Sequence, residues 1–261
     1  MKITVLTENV AGGKLLAEHG LSYLIEIDGE KILFDTGHSN VFLKNAKLLD
    51  IDIENEVKTV VLSHGHWDHG DGLKFFENKN LITHPAAFFK RFGKNDHHPV
   101  GLSLSKEEIQ KKFNLTETFN YLQINSSLYY LGEIPRLNDF ESQVTSFEYE
   151  NGDDDFVPDD SALATIIKSE LIVITGCSHS GICNICEHAK KITGISKIKA
   201  VIGGFHLKYQ NRQTLETIEY FKNNRVEKLY PSHCTELPVL TAFYEEFKID
   251  KVKTGMVLVF L

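Results

Sequence analysis

His64, His66, Asp68 and His69 fall inside one short stretch, Ser63-His64-Gly65-His66-Trp67-Asp68-His69-Gly70-Asp71-Gly72. Neutral imidazole and carboxylate are the ligands that suit zinc, iron or manganese. The run before them, Thr59-Val60-Val61-Leu62, is apolar, short and β-branched, which reads as a buried strand ending where the histidines begin. On an extended exit His64 and His66 face the same way, because side chains alternate along a strand. Asp68 and His69 follow a turn and can approach the same point from another side. Two such clusters can hold two metals side by side. A solvated polar loop would put four potential ligands on one strand end only by coincidence.

Three later segments repeat the pattern of an apolar strand with a polar end. Residues 171–174 lead to Gly176-Cys177-Ser178-His179, residues 200–202 to Gly203-Gly204-Phe205-His206, and residues 228–230 to Pro231-Ser232-His233. Strand ends next to helix starts are where α/β proteins build sites, and packing alone does not explain a histidine at three of them in succession. His179, His206 and His233 therefore join the candidate ligands. Asp160, in Pro158-Asp159-Asp160-Ser161, can be read as a ligand, as a support for one, or as a turn former.

His64-x-His66-x-Asp68-His69, preceded by Ile32-Leu33-Phe34-Asp35-Thr36-Gly37, resembles the metallo-β-lactamase superfamily. Within it the chain is similar to the branch of dihydropterin-type ribofuranosylaminobenzene phosphate synthases. The segments that carry this are Leu16-Ala17-Glu18-His19-Gly20, Gly132-Glu133-Ile134-Pro135-Arg136, Thr175-Gly176-Cys177-Ser178-His179-Ser180-Gly181, Gly203-Gly204-Phe205-His206-Leu207 and Pro231-Ser232-His233-Cys234-Thr235. The resemblance implies a four-layer αββα sandwich, one domain over residues 1–261 with two pseudo-symmetric halves divided near 150–158, and a dinuclear site at the sheet edges. His64, His66 and His179 would hold one ion and Asp68, His69 and His233 the other, with Asp35 supporting the metal loop from outside. The superfamily normally adds a bridging aspartate, and no Gly-Asp pair stands at the Gly176-Cys177 or Gly203-Gly204 strand ends. Asp160, His206 or the Cys177 thiolate are the candidates to replace it.

Two divalent ions, zinc first and iron or manganese as alternatives, would make hydroxide available near neutral pH and polarise a phosphoryl or carbonyl oxygen. No G-x-S-x-G nucleophile elbow is present. The expectation is a metal-dependent hydrolase that uses a metal-bound hydroxide on a phosphoester or related ester of a small molecule. Asp68, where it is not fully engaged with metal, would move a proton to the leaving group. The branch implies a phosphorylated substrate, which Arg136 or Lys208 could meet, although each reads equally well as a solvated charge. The alternatives are an iron–sulfur or diiron redox protein, the condensing enzyme of the branch name, and a metal-stabilised binding module without turnover.

The elements that must position these residues follow from periodicity and turn chemistry. Residues 2–6, 21–27 and 31–34 read as strands, the last two joined at Asp28-Gly29, a type I′ hairpin signal. Residues 40–49 form an amphipathic helix. Residues 73–76 continue a helix after the motif, 80–85 form a short strand, and 86–92 a helix. His84 stands at a strand end before a proline and reads as structural or substrate-facing. The stretch around Asp96-His97-His98-Pro99 reads as a mobile loop or a substrate lid. Residues 106–113 are helical, with Ser105 and Glu108 forming a capping box, and strands follow near 118–122 and 128–131. The acidic run Asn151-Gly152-Asp153-Asp154-Asp155 reads as a solvated loop rather than a calcium site, because its spacing does not fit an EF-hand. Residues 164–167 are a strand, 182–192, 215–223 and 239–247 are helices, and 255–261 a last strand.

Length and composition bound the rest. A chain of 261 residues with 42% hydrophobic and 25% charged residues can bury a large core. A formal charge of −8 argues against a general nucleic-acid binder, which needs a basic face. No apolar run is long enough to span a bilayer and the start reads as a strand, so the expected setting is the cytoplasm, without membrane or nucleic-acid partners. The cysteines are Cys177, Cys183, Cys186 and Cys234, too few for a disulfide framework. Cys183-x-x-Cys186 superficially resembles a redox motif, but residues 182–192 have helical apolar spacing, and cysteines on such a helix read as small core residues.

Overall fold

The computed structural model describes all residues from Met1 to Leu261. Its contacts separate two compact units, residues 1–119 with 146–155 and 253–261, and residues 120–145 with 156–252.

The first unit is organised on a seven-stranded sheet. Lys2–Thr7, Ser22–Ile27 and Glu30–Phe34 pair antiparallel, and Val257–Val259 closes the edge beside Lys2–Thr7. Asp28 and Gly29 both take positive φ, 53° and 78°, the backbone of the two-residue turn that Asp-Gly favours. From Glu30–Phe34 the sheet continues in parallel through Thr59–Val61, Lys79–Thr83 and Phe113–Glu117. Parallel pairing brings the C-terminal ends of adjacent strands to one edge, so Asp35, the histidine motif and His84 emerge side by side. Leu24, Leu33, Val60 and Leu81 from these strands bury against Phe42 and Ala46 of the helix Val41–Leu48. Full burial of such a side chain stabilises by about 1.5–3 kcal/mol.

The second unit carries a six-stranded sheet. Glu170–Thr175, Ile198–Gly204 and Lys228–Ser232 run parallel, and Ala162–Ile167, Leu128–Tyr130 and Leu122–Gln123 continue antiparallel. The helices Ile182–Thr193, Arg212–Asn223 and Leu237–Phe247 follow the three parallel strands. They cover a core in which Ile182, Cys183, Ile185 and Cys186 meet Phe205, Phe221 and Phe243. The C-x-x-C pair is therefore core packing, as its helical spacing suggested. Burial pushes both thiols well above the ordinary cysteine value.

Several local expectations need correction. Residues 86–92 are not a helix: the turn Pro85–Phe88 is a single 3₁₀ turn, and Arg91–Gly93 is a strand paired with Phe147–Tyr149. Tertiary pairing overrides propensity there, because the Arg91 guanidinium meets the Asp155 carboxylate at 3.2 Å with both side chains fully buried. The same pair corrects the reading of the acidic run, whose last residue is interior. The helix before Phe113 ends at Lys112, and the strand expected at 118–122 lies earlier, at Phe113–Glu117. The capping box of Ser105 and Glu108 is present. After the motif, Trp67–Gly70 makes one helical turn and Asp71–Phe75 continues as 3₁₀. No helix is long and apolar enough to cross a membrane.

Candidate metal centre

In the first unit the motif is held by a chain of hydrogen bonds that begins at Asp35. This residue follows its strand in a left-handed conformation, φ 56°, which costs a non-glycine residue about 1–2 kcal/mol and turns the carboxylate toward the neighbouring strand end. Asp35 Oδ1 accepts the Ser63 amide at 2.7 Å, and Oδ2 accepts the Ser63 hydroxyl at 2.7 Å and His69 Nδ1 at 2.7 Å. The Ser63 hydroxyl, donating to Asp35, is left to accept from His64 Nδ1 at 2.9 Å. Both contacts fix tautomers: with hydrogens on the Nδ1 atoms, His64 and His69 present Nε2 lone pairs, the form a metal requires. Burial, with His69 and His66 nearby, also holds His64 well below the ordinary imidazole value, in its neutral state.

His64 Nε2 lies 3.1 Å from His66 Nδ1. Two nitrogens bound to one tetrahedral ion at ordinary zinc distances stand about 3.3 Å apart, so the pair fits a shared cation. The Asp68 carboxylate, in the turn that follows, places Oδ2 3.9 Å from His69 Nε2. The donor types and spacing of His64, His66, Asp68 and His69 fit a metal. Gly65 permits this spacing, since a Cβ there would stand 1.8 Å from the Ala87 carbonyl oxygen.

His19 belongs to this arrangement and was not singled out from the sequence. Its Nε2 lies 3.2 Å from Asp68 Oδ2, and the contact with Asp68 raises His19 above the ordinary imidazole value. Its loop is anchored on both sides: Glu18 Oε1 accepts from the amides of His38 and Ser39, and the Gly20 amide donates to Asn9. The available signal was the segment Leu16-Ala17-Glu18-His19-Gly20, quoted above only for its likeness to a family. His84 Nδ1 accepts the Ala86 amide at 3.1 Å, capping the turn that follows its strand. His97 stacks on Phe92, with ring centres 4.4 Å apart, and meets Glu148 at 2.9 Å.

In the second unit the three parallel strand ends are tied to one another. The Ser178 hydroxyl donates to the Gly204 carbonyl at 2.6 Å, the Gly204 amide to the Gly176 carbonyl at 2.8 Å, and the Phe205 amide to the Thr235 hydroxyl at 3.0 Å. Ser178, His206 and His233 all take left-handed backbone, with φ of 59°, 50° and 52°. Strain of this kind concentrates at functional sites, where surrounding structure maintains it. The His179 and His206 rings lie 4.3 Å apart. One ring nitrogen of His233 and the sulfurs of Cys177 and Cys234 fall within 4.8 Å of one another.

Asp160 is fully buried and accepts the Ser180 amide at 2.7 Å, so it braces the loop that carries His179. Burial pushes its carboxyl up to about 6. Glu141 braces the other side of this loop by accepting the Cys183 and Asn184 amides, each at 2.9 Å, at the start of the following helix. Arg136 is exposed and donates to the Ser142 hydroxyl and the Phe156 carbonyl. Lys208 is exposed.

Residues 16–108 match the model of the metallo-beta-lactamase superfamily. Over 288 aligned positions the chain is 33% identical to the 7,8-dihydropterin-6-methyl-4-(beta-D-ribofuranosyl)-aminobenzene-5'-phosphate synthase of Methanocaldococcus jannaschii, covering all of this chain and 97% of that protein. It is 35% identical to the uncharacterized protein MJ0448 of the same organism, with 92% of each chain covered. Among solved structures it is similar to Tm1679, described as a metal-dependent hydrolase of the beta-lactamase superfamily, with a TM-score of 0.87, 31% identity, and 100% and 99% of the two chains covered. The chain belongs to the metallo-β-lactamase superfamily and has its mixed α/β fold.

Proposed function

We propose that this protein is a metal-dependent hydrolase of a phosphoester or related ester of a small molecule. The observation that carries this is the Asp35–Ser63–His64 and Asp35–His69 hydrogen-bond chain, which fixes both rings through Nδ1 and sets His64 Nε2 and His66 Nδ1 at a spacing suited to one ion. We assign His64, His66 and His179 to one divalent ion and Asp68, His69 and His233 to a second, following the motif order. His206, packed on His179, belongs to the same donor set. Zinc suits these ligands best, and iron or manganese are the alternatives.

When bound, such ions supply Lewis acidity, ionising water near neutral pH and drawing electron density from a phosphoryl or carbonyl oxygen. The chain's own residues supply orientation and proton handling. Asp35 fixes the His69 ring, and Ser63 fixes the His64 ring. Asp68 Oδ2, in contact with His19 Nε2, is positioned to take the imidazole's proton and pass it to the departing oxygen.

Hydrolysis of phosphomonoesters and phosphodiesters carrying a chromogenic leaving group tests this reading. The metal-loaded protein should release the chromophore, lose that activity on chelation, and regain it with zinc. Fully metallated protein that hydrolyses none of them contradicts it. One observation favours a second reading: the full-length relative at 33% identity is named as a synthase. If this chain condenses rather than hydrolyses, a dihydropterin and a ribofuranosylaminobenzene phosphate will yield one joined product by mass spectrometry.

A further inference from the structure

The second unit gathers two cysteine sulfurs and the His233 imidazole at the ends of two of its parallel strands. Cys177 follows the strand Glu170–Thr175 and is 4% exposed. Cys234 follows the strand Lys228–Ser232, and its Sγ lies 3.5 Å from the Cys177 carbonyl oxygen. His233, beside it, brings a ring nitrogen into the same group, all three donor atoms lying within 4.8 Å of one another. The left-handed backbone at Ser178 and at His233 turns the chain sharply next to both thiols.

Gly204 makes room for this group. A Cβ at that position would stand 2.5 Å from the Cys234 sulfur and 2.7 Å from the Gly176 carbonyl oxygen. The other two cysteines provide a contrast within the same chain. Cys183 and Cys186 sit among aliphatic and aromatic side chains on one helix, where burial keeps them protonated. The four cysteines therefore fall into two sets, one in the core and one beside an imidazole at the candidate metal centre.

We infer that Cys177, Cys234 and His233 form a mixed sulfur–nitrogen metal site, in which both thiols bind as thiolates. This deepens the hydrolase reading and rests on it, because the ion concerned is the one assigned to His233. Each thiol releases its proton to solvent as it binds, so affinity rises with pH. Thiolate ligands select zinc, iron or cobalt over magnesium and manganese, which narrows the native metal to the softer group.

The test is cobalt(II) added to the chelator-stripped full-length protein, read by near-ultraviolet absorption and by metal-to-protein ratio. Bound cobalt should give a sulfur-to-cobalt charge-transfer band, reduced to about half in Cys177→Ser and in Cys234→Ser and absent in the double variant. Cys186→Ser should keep the full band. Two bound cobalt ions without the band in the unmutated protein would overturn the inference and leave the hydrolase reading standing. No bound cobalt at all would overturn both. The decisive arm uses the unmutated chain, so a poorly folding variant does not blunt it.

Discussion

Asp35 Oδ2 accepts a hydrogen bond from His69 Nδ1 at 2.7 Å, with both side chains fully buried. One carboxylate thereby sets the tautomer of His69 and, through the Ser63 hydroxyl, that of His64. Asp35→Asn removes this acceptor while nearly preserving volume. It should lower metal affinity by about 10–100-fold, measured by competition with a chromophoric chelator. Unchanged affinity would show that the hydrogen bond does not act on the metal.

Gly65 separates the first two histidines, and any Cβ there would collide with the Ala87 backbone. Gly65→Ala should destabilise the protein by about 1–3 kcal/mol and reduce bound metal. Urea denaturation and metal analysis on the same sample check both effects. Full stability with full metal content would mean that the neighbouring turn yields easily.

Arg91 and Asp155 are paired in the interior of the first unit. Removing one partner leaves an uncompensated charge, so Arg91→Met should cost about 3–5 kcal/mol. Arg91→Met combined with Asp155→Leu should recover most of that loss, as seen in denaturant midpoints. A double variant no better than the single one would contradict the pairing argument.

Asp160 predicts a dependence on pH. Burial raises its folded-state value from 3.8 to about 6, so the folded protein binds this proton more tightly than the unfolded chain does. Below about pH 4 both forms are protonated and the group costs nothing. As pH rises to about 6 the unfolded form is favoured, and the loss is complete above that. In metal-free protein, Asp160→Asn should therefore gain on the unmutated chain by up to about 3 kcal/mol between pH 4 and pH 7. Parallel stability profiles would refute it.

Much of this was legible in the sequence because the signals were local. Asp28-Gly29 dictates its hairpin, Ser105 and Glu108 their capping box, and the β-branched run 59–62 the strand that delivers the histidines. The helical spacing of residues 182–192 sorted Cys183 and Cys186 into the core. What escaped was set by distant partners. Arg91 looks like a surface residue of a helix until Asp155, far along the chain, draws it inside as part of a strand. His19 lies in a segment that resembles the family, yet its contact with Asp68, far along the chain, is what brings it to the motif. Ser63 resembles any small residue before a motif, yet it links Asp35 to His64.

The central claim is that these residues bind metal, and metal content tests it most directly. Plasma mass spectrometry should compare the unmutated protein, purified without chelator, with His66→Ala and His233→Ala. The account predicts about two zinc ions per chain, falling in both variants. No metal in any sample, even after reconstitution, would contradict it, and so would iron accompanied by labile sulfide.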